Sequence, residues 1–417
     1  MILGKGMTLT FSKSVGNNKL MQKINQQRVL NYIRSHDLPT RQDIIHETGI
    51  SASAVTNIVS GLISRHFVLE LGVRNSCLAG RKAKLLQFNP SVRKIVCVYI
   101  DPAFVLVALT DLAGNTLATK KLLLDGQPGN QSILDRISRE IGVILASTPQ
   151  PGGIRTAGIG VALSGMVLNH AQLVLSTQMQ WKSVAVKAHF ESTFNLPVYV
   201  QNNTRTKIMH ELPRHLEKDD ERIIFLDLTV GIGIASFVSG RLDESILGEL
   251  GHTTIEKDGL PCFCGNRGCL EMYCNVDAVL RQCRQLLEQD LCPVLRRLLE
   301  PAGSVLSYEL ILDALHQGDP DIMRVISSCG VYLGIALANI ISLFKPTLIL
   351  INGERLLAEE SIFFIAVSEA GKRINDQLFA STRFARVHIN LDSEIKGIAL
   401  YITDKLCAGP LLDQEGI

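Results

Sequence analysis

The sequence predicts an α/β protein with a small, basic winged helix-turn-helix head in front of a larger α/β body. Three observations carry that prediction. The charge is split: residues 1–90 hold 12 Lys/Arg against 4 Asp/Glu, a net +8, whereas the remaining residues hold 30 against 36, a net −6. Within the first ninety residues, helical spacing is broken at Pro39 and Gly49 and then gives way to two short strand-like runs. Beyond residue 92, apolar strand-like runs alternate with helical sequence, the pattern of an α/β fold. With 417 residues and 46% hydrophobic content, the chain is long enough for two or three domains with their own cores.

Residues 1–18 read as a flexible leader and 19–90 as the head. From Lys19 to Ser35 the apolar Leu20, Ile24, Val29, Leu30 and Ile33 recur at helical spacing and are expected to face one way. Pro39 ends that helix. Thr40 caps a second, Arg41 to Glu47, with Ile44 and Ile45 inward. Gly49 supplies the turn, and Ser51 caps a third helix, Ala52 to Arg65, with Val55, Ile58, Val59, Leu62 and Ile63 on its apolar side. The other side carries Ser51, Ser53, Thr56, Asn57 and Ser60, short hydroxyl and amide groups suited to base edges and phosphates. Phe67 to Leu71 and Ala83 to Phe88 read as strands, and the segment VRNSCLAGRKAK between them carries Arg74, Arg81, Lys82 and Lys84, a basic wing. The expected DNA contacts are Arg41, Ser51, Ser53, Thr56, Asn57, Ser60, Arg81 and Lys82. A small helical protein-interaction domain would share the pattern; the +8 charge and the basic loop favour DNA.

In the body, KIVCVYID (94–101) and VLVALTDL (105–112) read as strands, DLAGN (111–115) as a hairpin turn and TLATKKLLL as the next strand. A helix is expected over 132–147. TAGIGVALSGMV (156–167), VYVQNN (198–203), IIFLDLTVGIGIASFV (223–238) and TLILING (347–353) are further strands. Gly231, Gly233 and Gly240 fit a tight β-hairpin at least as well as a phosphate loop. The longest apolar run, Val331 to Phe344, falls short of the roughly 20 residues a bilayer requires and reads as a buried helix. Without a signal peptide or a span, the expectation is a cytoplasmic protein, not an integral membrane one.

The segment from Gly248 to Glu271, GELGHTTIEKDGLPCFCGNRGCLE, gathers His252, Cys262, Cys264 and Cys269 among glycines. One imidazole and three thiols form a soft four-donor set that suits tetrahedral Zn²⁺. Four protein ligands leave no open position for a bound water, so the expected ion is structural, one per chain. A Cys262–Cys264 redox pair would close a strained ring, and the other seven cysteines are scattered, mostly in apolar sequence.

These segments together resemble the ROK family of repressors and sugar kinases, over essentially the whole chain from about residue 19. The most specific match is Glu249-x-Gly251-His252 followed by Cys262-x-Cys264-Gly265-x-x-Gly268-Cys269-x-Glu271. Ala338-Asn339 and Lys345 to Gly353 match the family's carboxy-terminal helix and strand, and Gly80-Arg81-Lys82 stands where the repressor branch has a Gly-Arg-Pro-like wing. The resemblance implies an actin-like, ribonuclease-H-related body of two lobes. Lobe 1 would span 91–200, lobe 2 would span 201–390 with its zinc loop at 252–269, and 391–417 would form a carboxy-terminal helix and tail. It also implies a sugar or effector site made of Asn202, Asn203, Glu249, His252 and Glu271.

Two departures separate this chain from the family's kinases. The Asp that takes the sugar hydroxyl proton is replaced by Asn203, and an amide is no general base at neutral pH. The Asp-x-Gly-Gly-Thr phosphate loop is replaced by Asp101, Pro102, Ala103 and Phe104. The resemblance therefore implies no catalytic residues and no enzyme. It implies a repressor of carbohydrate genes that binds double-stranded operator DNA as a homodimer or dimer of dimers, with a sugar or sugar phosphate as effector. A phosphotransferase-system transporter domain is a further implied partner, and a vestigial sugar kinase is the alternative.

Overall fold

The structure is a computed structural model of the full chain; it describes residues 17–73, 83–124, 129–147, 155–168, 173–176, 178–217, 220–229, 231–300 and 305–408. The wing residues Arg74, Arg81 and Lys82, and nearly all of the expected leader, lie outside the described residues. Two compact units are present. The smaller takes in 1–94, 151–157 and 403–417, and the larger takes in 95–150 and 158–402.

The smaller unit is built from α1 (Asn17–Ser35), α2 (Arg41–Thr48), α3 (Ala52–Ser64), β1 (Val68–Val73) and β2 (Lys84–Phe88), with the two strands antiparallel. Its helix ends follow the local signals. Thr40 and Asp43 form a reciprocal capping box on α2, Gly49 closes it in the left-handed conformation, and the Ser51 hydroxyl accepts the Ala54 N–H at the start of α3. Val29, Leu30 and Ile33 of α1 pack with Ile44, Val55, Val59 and Leu62 as a buried core. The expectation for α1 fails at its amino-terminal end: Leu20 is 58% exposed and Ile24 is 37% exposed. Among the described residues nothing covers these side chains in the first two turns of α1, so periodicity there does not mark a core.

The larger unit holds two five-stranded sheets. The first has the order β10-β6-β3-β4-β5, from β3 (Lys94–Ile100), β4 (Phe104–Asp111), β5 (Thr116–Leu123), β6 (Thr156–Leu163) and β10 (Val198–Asn202). Helices α4 (Asn130–Ser147) and α5 (Val186–Phe194) close its core through Ile133, Ile137, Ile141 and Phe190. A three-stranded antiparallel sheet, β7 (Met166–Leu168), β8 (Leu173–Ser176) and β9 (Trp181–Val184), extends this lobe. Short α6 (Asn203–Lys207) and α7 (Leu212–His215) follow β10.

The second sheet has the order β13-β12-β11-β14-β15, from β11 (Arg222–Asp227), β12 (Gly233–Val238), β13 (Arg241–Leu242), β14 (Leu348–Asn352) and β15 (Arg383–Val387). Its central strands β11 and β14 run parallel and are buried on both faces. Ile224, Leu226, Ile349 and Ile351 point into the larger core, and Ile223, Phe225, Leu348 and Leu350 into the opposite one. Helices α8 (Val276–Glu288), α9 (Pro293–Leu299), α10 (Tyr308–His316), α11 (Pro320–Phe344), α12 (Glu360–Arg373) and α13 (Asp376–Ala380) complete this lobe, and α14 (Leu391–Cys407) follows. The helix read from Val331 begins eleven residues earlier, at Pro320 behind an Asp319 cap, because polar Asp321, Arg324, Ser327 and Ser328 interrupt its apolar character. Among the described residues, α11 alone has the length and apolarity of a membrane span; 13 of its 25 residues are buried, most of them in the second-lobe core.

Candidate functional site

The donors of the cysteine segment converge. One atom each from His252, Cys262, Cys264 and Cys269 lie within 4.8 Å of one another. The Cys264 and Cys269 sulfurs are 3.7 Å apart, and the Cys262 sulfur is 3.6 Å from His252 Nδ1. Zinc bonds of about 2.3 Å to sulfur and about 2.0 Å to nitrogen, at tetrahedral angles, put two sulfurs about 3.8 Å apart and a nitrogen about 3.5 Å from a sulfur. The spacing and the donor chemistry therefore fit one tetrahedral ion. Burial pushes the Cys269 thiol up to about 12 and raises Cys262 as well, so without a cation these thiols keep their protons. Supporting bonds hold the loop. Asn266 Nδ2 donates to Thr254 Oγ1 at 3.0 Å, and the Tyr273 hydroxyl accepts the Leu260 N–H at 2.7 Å.

The same loop lines a cleft. All five residues expected to contact an effector, Asn202, Asn203, Glu249, His252 and Glu271, face it, with Ser164, Gln178, Asp227 and Thr229. Glu249 precedes the 3-10 turn Leu250–His252, and Glu271 sits in the 3-10 turn Leu270–Met272. His252 Nε2 lies 3.8 Å from Glu249 Oε2. Burial holds the carboxyls of Glu249 and Glu271 above the usual glutamate range, against the pull of His252. The β11–β12 connection is a hairpin, and its glycine has a purpose beyond the turn: a Cβ at Gly231 would lie 2.7 Å from Glu271 Oε2. Asn202 caps α6. Its amide donates to the Gly165 carbonyl at 2.8 Å and its oxygen accepts the Thr204 N–H at 2.8 Å. Asn203 Oδ1 accepts the same N–H at 2.9 Å.

Beneath the cleft lies a cluster that the sequence reading missed. Lys207 Nζ donates to Asp227 Oδ2 at 2.7 Å and to Thr229 Oγ1 at 3.0 Å, and it lies 3.2 Å from Glu394 Oε1 on α14. Asn352 Nδ2 donates to the other oxygen of Asp227 at 2.9 Å. Burial works against the Lys207 ammonium, but Asp227, Tyr99 and Glu394 outweigh it and its pKa is raised. Burial raises Glu394, while Lys207 opposes the shift. Gly397 of α14 packs so closely on α6 that a Cβ there would lie 2.0 Å from the Thr206 carbonyl oxygen. A lone Asp in the apolar strand IIFLD and a Lys just after the asparagine pair were the available signals.

In the smaller unit, Ser51, Ser53, Thr56, Asn57 and Ser60 are all exposed on one side of α3. Thr56 Oγ1 donates to the Ala52 carbonyl at 2.8 Å. Arg41 points elsewhere: its guanidinium donates to Glu70 Oε1 of β1 at 2.7 Å, and Lys84 of β2 also bonds Glu70.

Two α/β lobes with a cleft lined by carboxylates, amides and hydroxyls define the actin-like, sugar-kinase-type body. The chain belongs to the ROK family, whose sequence model matches residues 96–399. It is similar to the xylose repressor of Bacillus spizizenii, 26% identical over 87% of this chain and 91% of that protein. It is also similar to the DNA-binding transcriptional repressor Mlc of Escherichia coli, 25% identical over 79% of this chain and 80% of that one. A crystal structure of a ROK family transcriptional regulator, a homolog of the E. coli Mlc protein, superposes with a TM-score of 0.77 at 26% identity, over 94% of this chain and 98% of that one. A ROK family glucokinase from Streptomyces griseus, in complex with glucose and AMPPNP, shares the fold of the body: TM-score 0.58 at 21% identity, over 73% of this chain and 98% of that one.

Proposed function

We propose that this chain is a DNA-binding transcriptional regulator, a repressor of carbohydrate uptake or metabolism genes, whose body senses a sugar without phosphorylating it. The observation that carries the reading is Asn203, an amide where the kinases need a base, in a cleft that keeps Glu249, His252 and Glu271. Carboxylates and amides match vicinal hydroxyls in fixed directions, so binding survives where proton abstraction does not. The similarity to repressors over most of the chain supports the same reading.

One Zn²⁺ per chain, held by His252, Cys262, Cys264 and Cys269, has a structural task. It fixes the two turns that carry Glu249 and Glu271, and His252 ligates through Nδ1 while Nε2 faces the cleft. The smaller unit is a winged helix-turn-helix. Two copies in a cytoplasmic homodimer set α3 in successive major grooves of a palindromic operator. Ligand binding shifts operator affinity by about 1–3 kcal/mol, the usual range for coupled sites. Electrophoretic mobility shifts on the gene's own upstream region, with and without sugars, test the proposal. Absence of binding at low salt, or sugar-dependent consumption of ATP, overturns it.

A further inference from the structure

We propose that the cleft takes an uncharged polyhydroxylated ligand and rejects its phosphate ester, and that the Lys207–Asp227–Glu394 cluster enforces the choice. The inference rests on the sugar-sensing reading above and deepens it.

The cleft is short of donors for a phosphate group and rich in acceptors for hydroxyls. Among the described residues, the lining includes three acids, Asp227, Glu249 and Glu271, and no Lys or Arg. A phosphate group brings only acceptor oxygens and negative charge, and such groups are held by guanidinium, ammonium or unspent backbone N–H groups. The nearest ammonium is already spent. Lys207 has three N–H bonds, and Asp227, Thr229 and Glu394 offer three acceptors around it at 2.7, 3.0 and 3.2 Å. The first free amide of α6 is spent too, since the Thr204 N–H bonds both asparagine side chains.

Acceptors, by contrast, are in surplus. Gln178 Oε1 in the cleft wall is buried with no donor among the described residues, and Asp227, Glu249 and Glu271 add carboxylate oxygens. A neutral polyol supplies the missing donors through its hydroxyls. A phosphate ester would place its charge beside two carboxylates that share one ammonium, in a setting where repulsion is poorly screened.

Isothermal titration calorimetry on the full-length protein decides the matter, using D-xylose and D-glucose, each paired with its terminal monophosphate ester. The expected result is binding of at least one free sugar, with its ester weaker by on the order of 100-fold. Glu394→Gln leaves the cleft lining unchanged but removes one of the two carboxylates that occupy Lys207. It should narrow the gap at least about tenfold by improving ester binding alone. An ester that binds wild-type protein as well as the free sugar overturns the inference while leaving the sensor reading intact. A gap untouched by a folded Glu394→Gln protein removes the role given to the cluster. If that variant does not fold, the wild-type pair of titrations still decides the ligand class. Binding of neither member of either pair overturns the sugar-sensing reading itself.

Discussion

His252 Nε2 stands 3.8 Å from Glu249 Oε2, while Nδ1 on the other edge of the same ring faces the Cys262 sulfur at 3.6 Å. One imidazole therefore joins the cysteine cluster to the cleft. Removing the ion should cost effector binding even though the ion touches no effector. Cys269→Ser, or treatment with a strong chelator, is expected to abolish one bound zinc per chain by elemental analysis. It should also lower sugar affinity at least about tenfold, since apparent zinc binding of on the order of 10 kcal/mol stabilises such a loop. Wild-type affinity in a metal-free protein would remove the structural role given to the ion.

Glu271→Gln keeps the shape of the side chain and removes its charge. A charged hydrogen bond contributes about 1.5–3 kcal/mol, so sugar affinity should fall roughly 10- to 100-fold. Gly231→Ala should do the same without touching a ligand group, because its Cβ would lie 2.7 Å from Glu271 Oε2 and displace the carboxylate. Calorimetry on both variants checks this; an unaffected Gly231→Ala protein would place the ligand away from Glu271.

Asn203→Asp restores an acid at the kinase base position. Sugar-dependent release of ADP is expected to stay at background in this variant. Pro102 still stands in the turn between β3 and β4, and among the described residues the cleft lining offers no Lys or Arg to the transferred phosphoryl group. A coupled assay that detects turnover would show that one substitution alone had silenced an enzyme.

Exposed Ser53 and Asn57 on α3 should contribute to base readout. Replacing each with Ala is expected to lower operator affinity by about 1–3 kcal/mol and to leave the salt dependence unchanged, because salt dependence reports phosphate contacts. Binding titrations at several salt concentrations measure both quantities.

Glu70 ties Arg41 of α2 to β1, and its bonds with Lys84 and Arg41 hold its carboxyl below the usual value of 4.5 against the effect of burial. A lowered carboxylate pKa stabilises the fold above 4.5, and that contribution is lost as pH falls through the folded value. Glu70→Gln should thus destabilise the smaller unit by about 0.5–1 kcal/mol at neutral pH, allowing for partial exposure of the pair. The difference from wild type should shrink below pH 4.5 in denaturation curves. A difference that persists unchanged in acid would mean that packing, not charge, carries the effect.

Much of this architecture was legible because the signals are local. Thr40, Asp43, Gly49 and Ser51 mark helix ends through bonds made within a few residues, and the strands β3, β4, β6, β10, β11 and β14 announce themselves as apolar runs. The convergence of His252, Cys262, Cys264 and Cys269 was equally readable, since they fall within eighteen residues of one another. Leu20 and Ile24 misled because helical spacing records what a surface could bury, not whether anything covers it. Lys207 and Glu394 were invisible for another reason. They lie on different helices far apart in the chain, and a single charge in a helix reads as solvent-facing until its partner is known.

Lys207 and Glu394 are separated by 187 positions in the chain. Gly397 packs against the backbone of the short helix that carries Lys207. During synthesis the asparagine turn of the cleft emerges at about mid-chain, but the buried ammonium beside it lacks one carboxylate partner until α14 has left the ribosome. The floor of the cleft is therefore among the last parts of the molecule to be completed. A nascent chain long enough to display the first ninety residues of the smaller unit still lacks this ion pair.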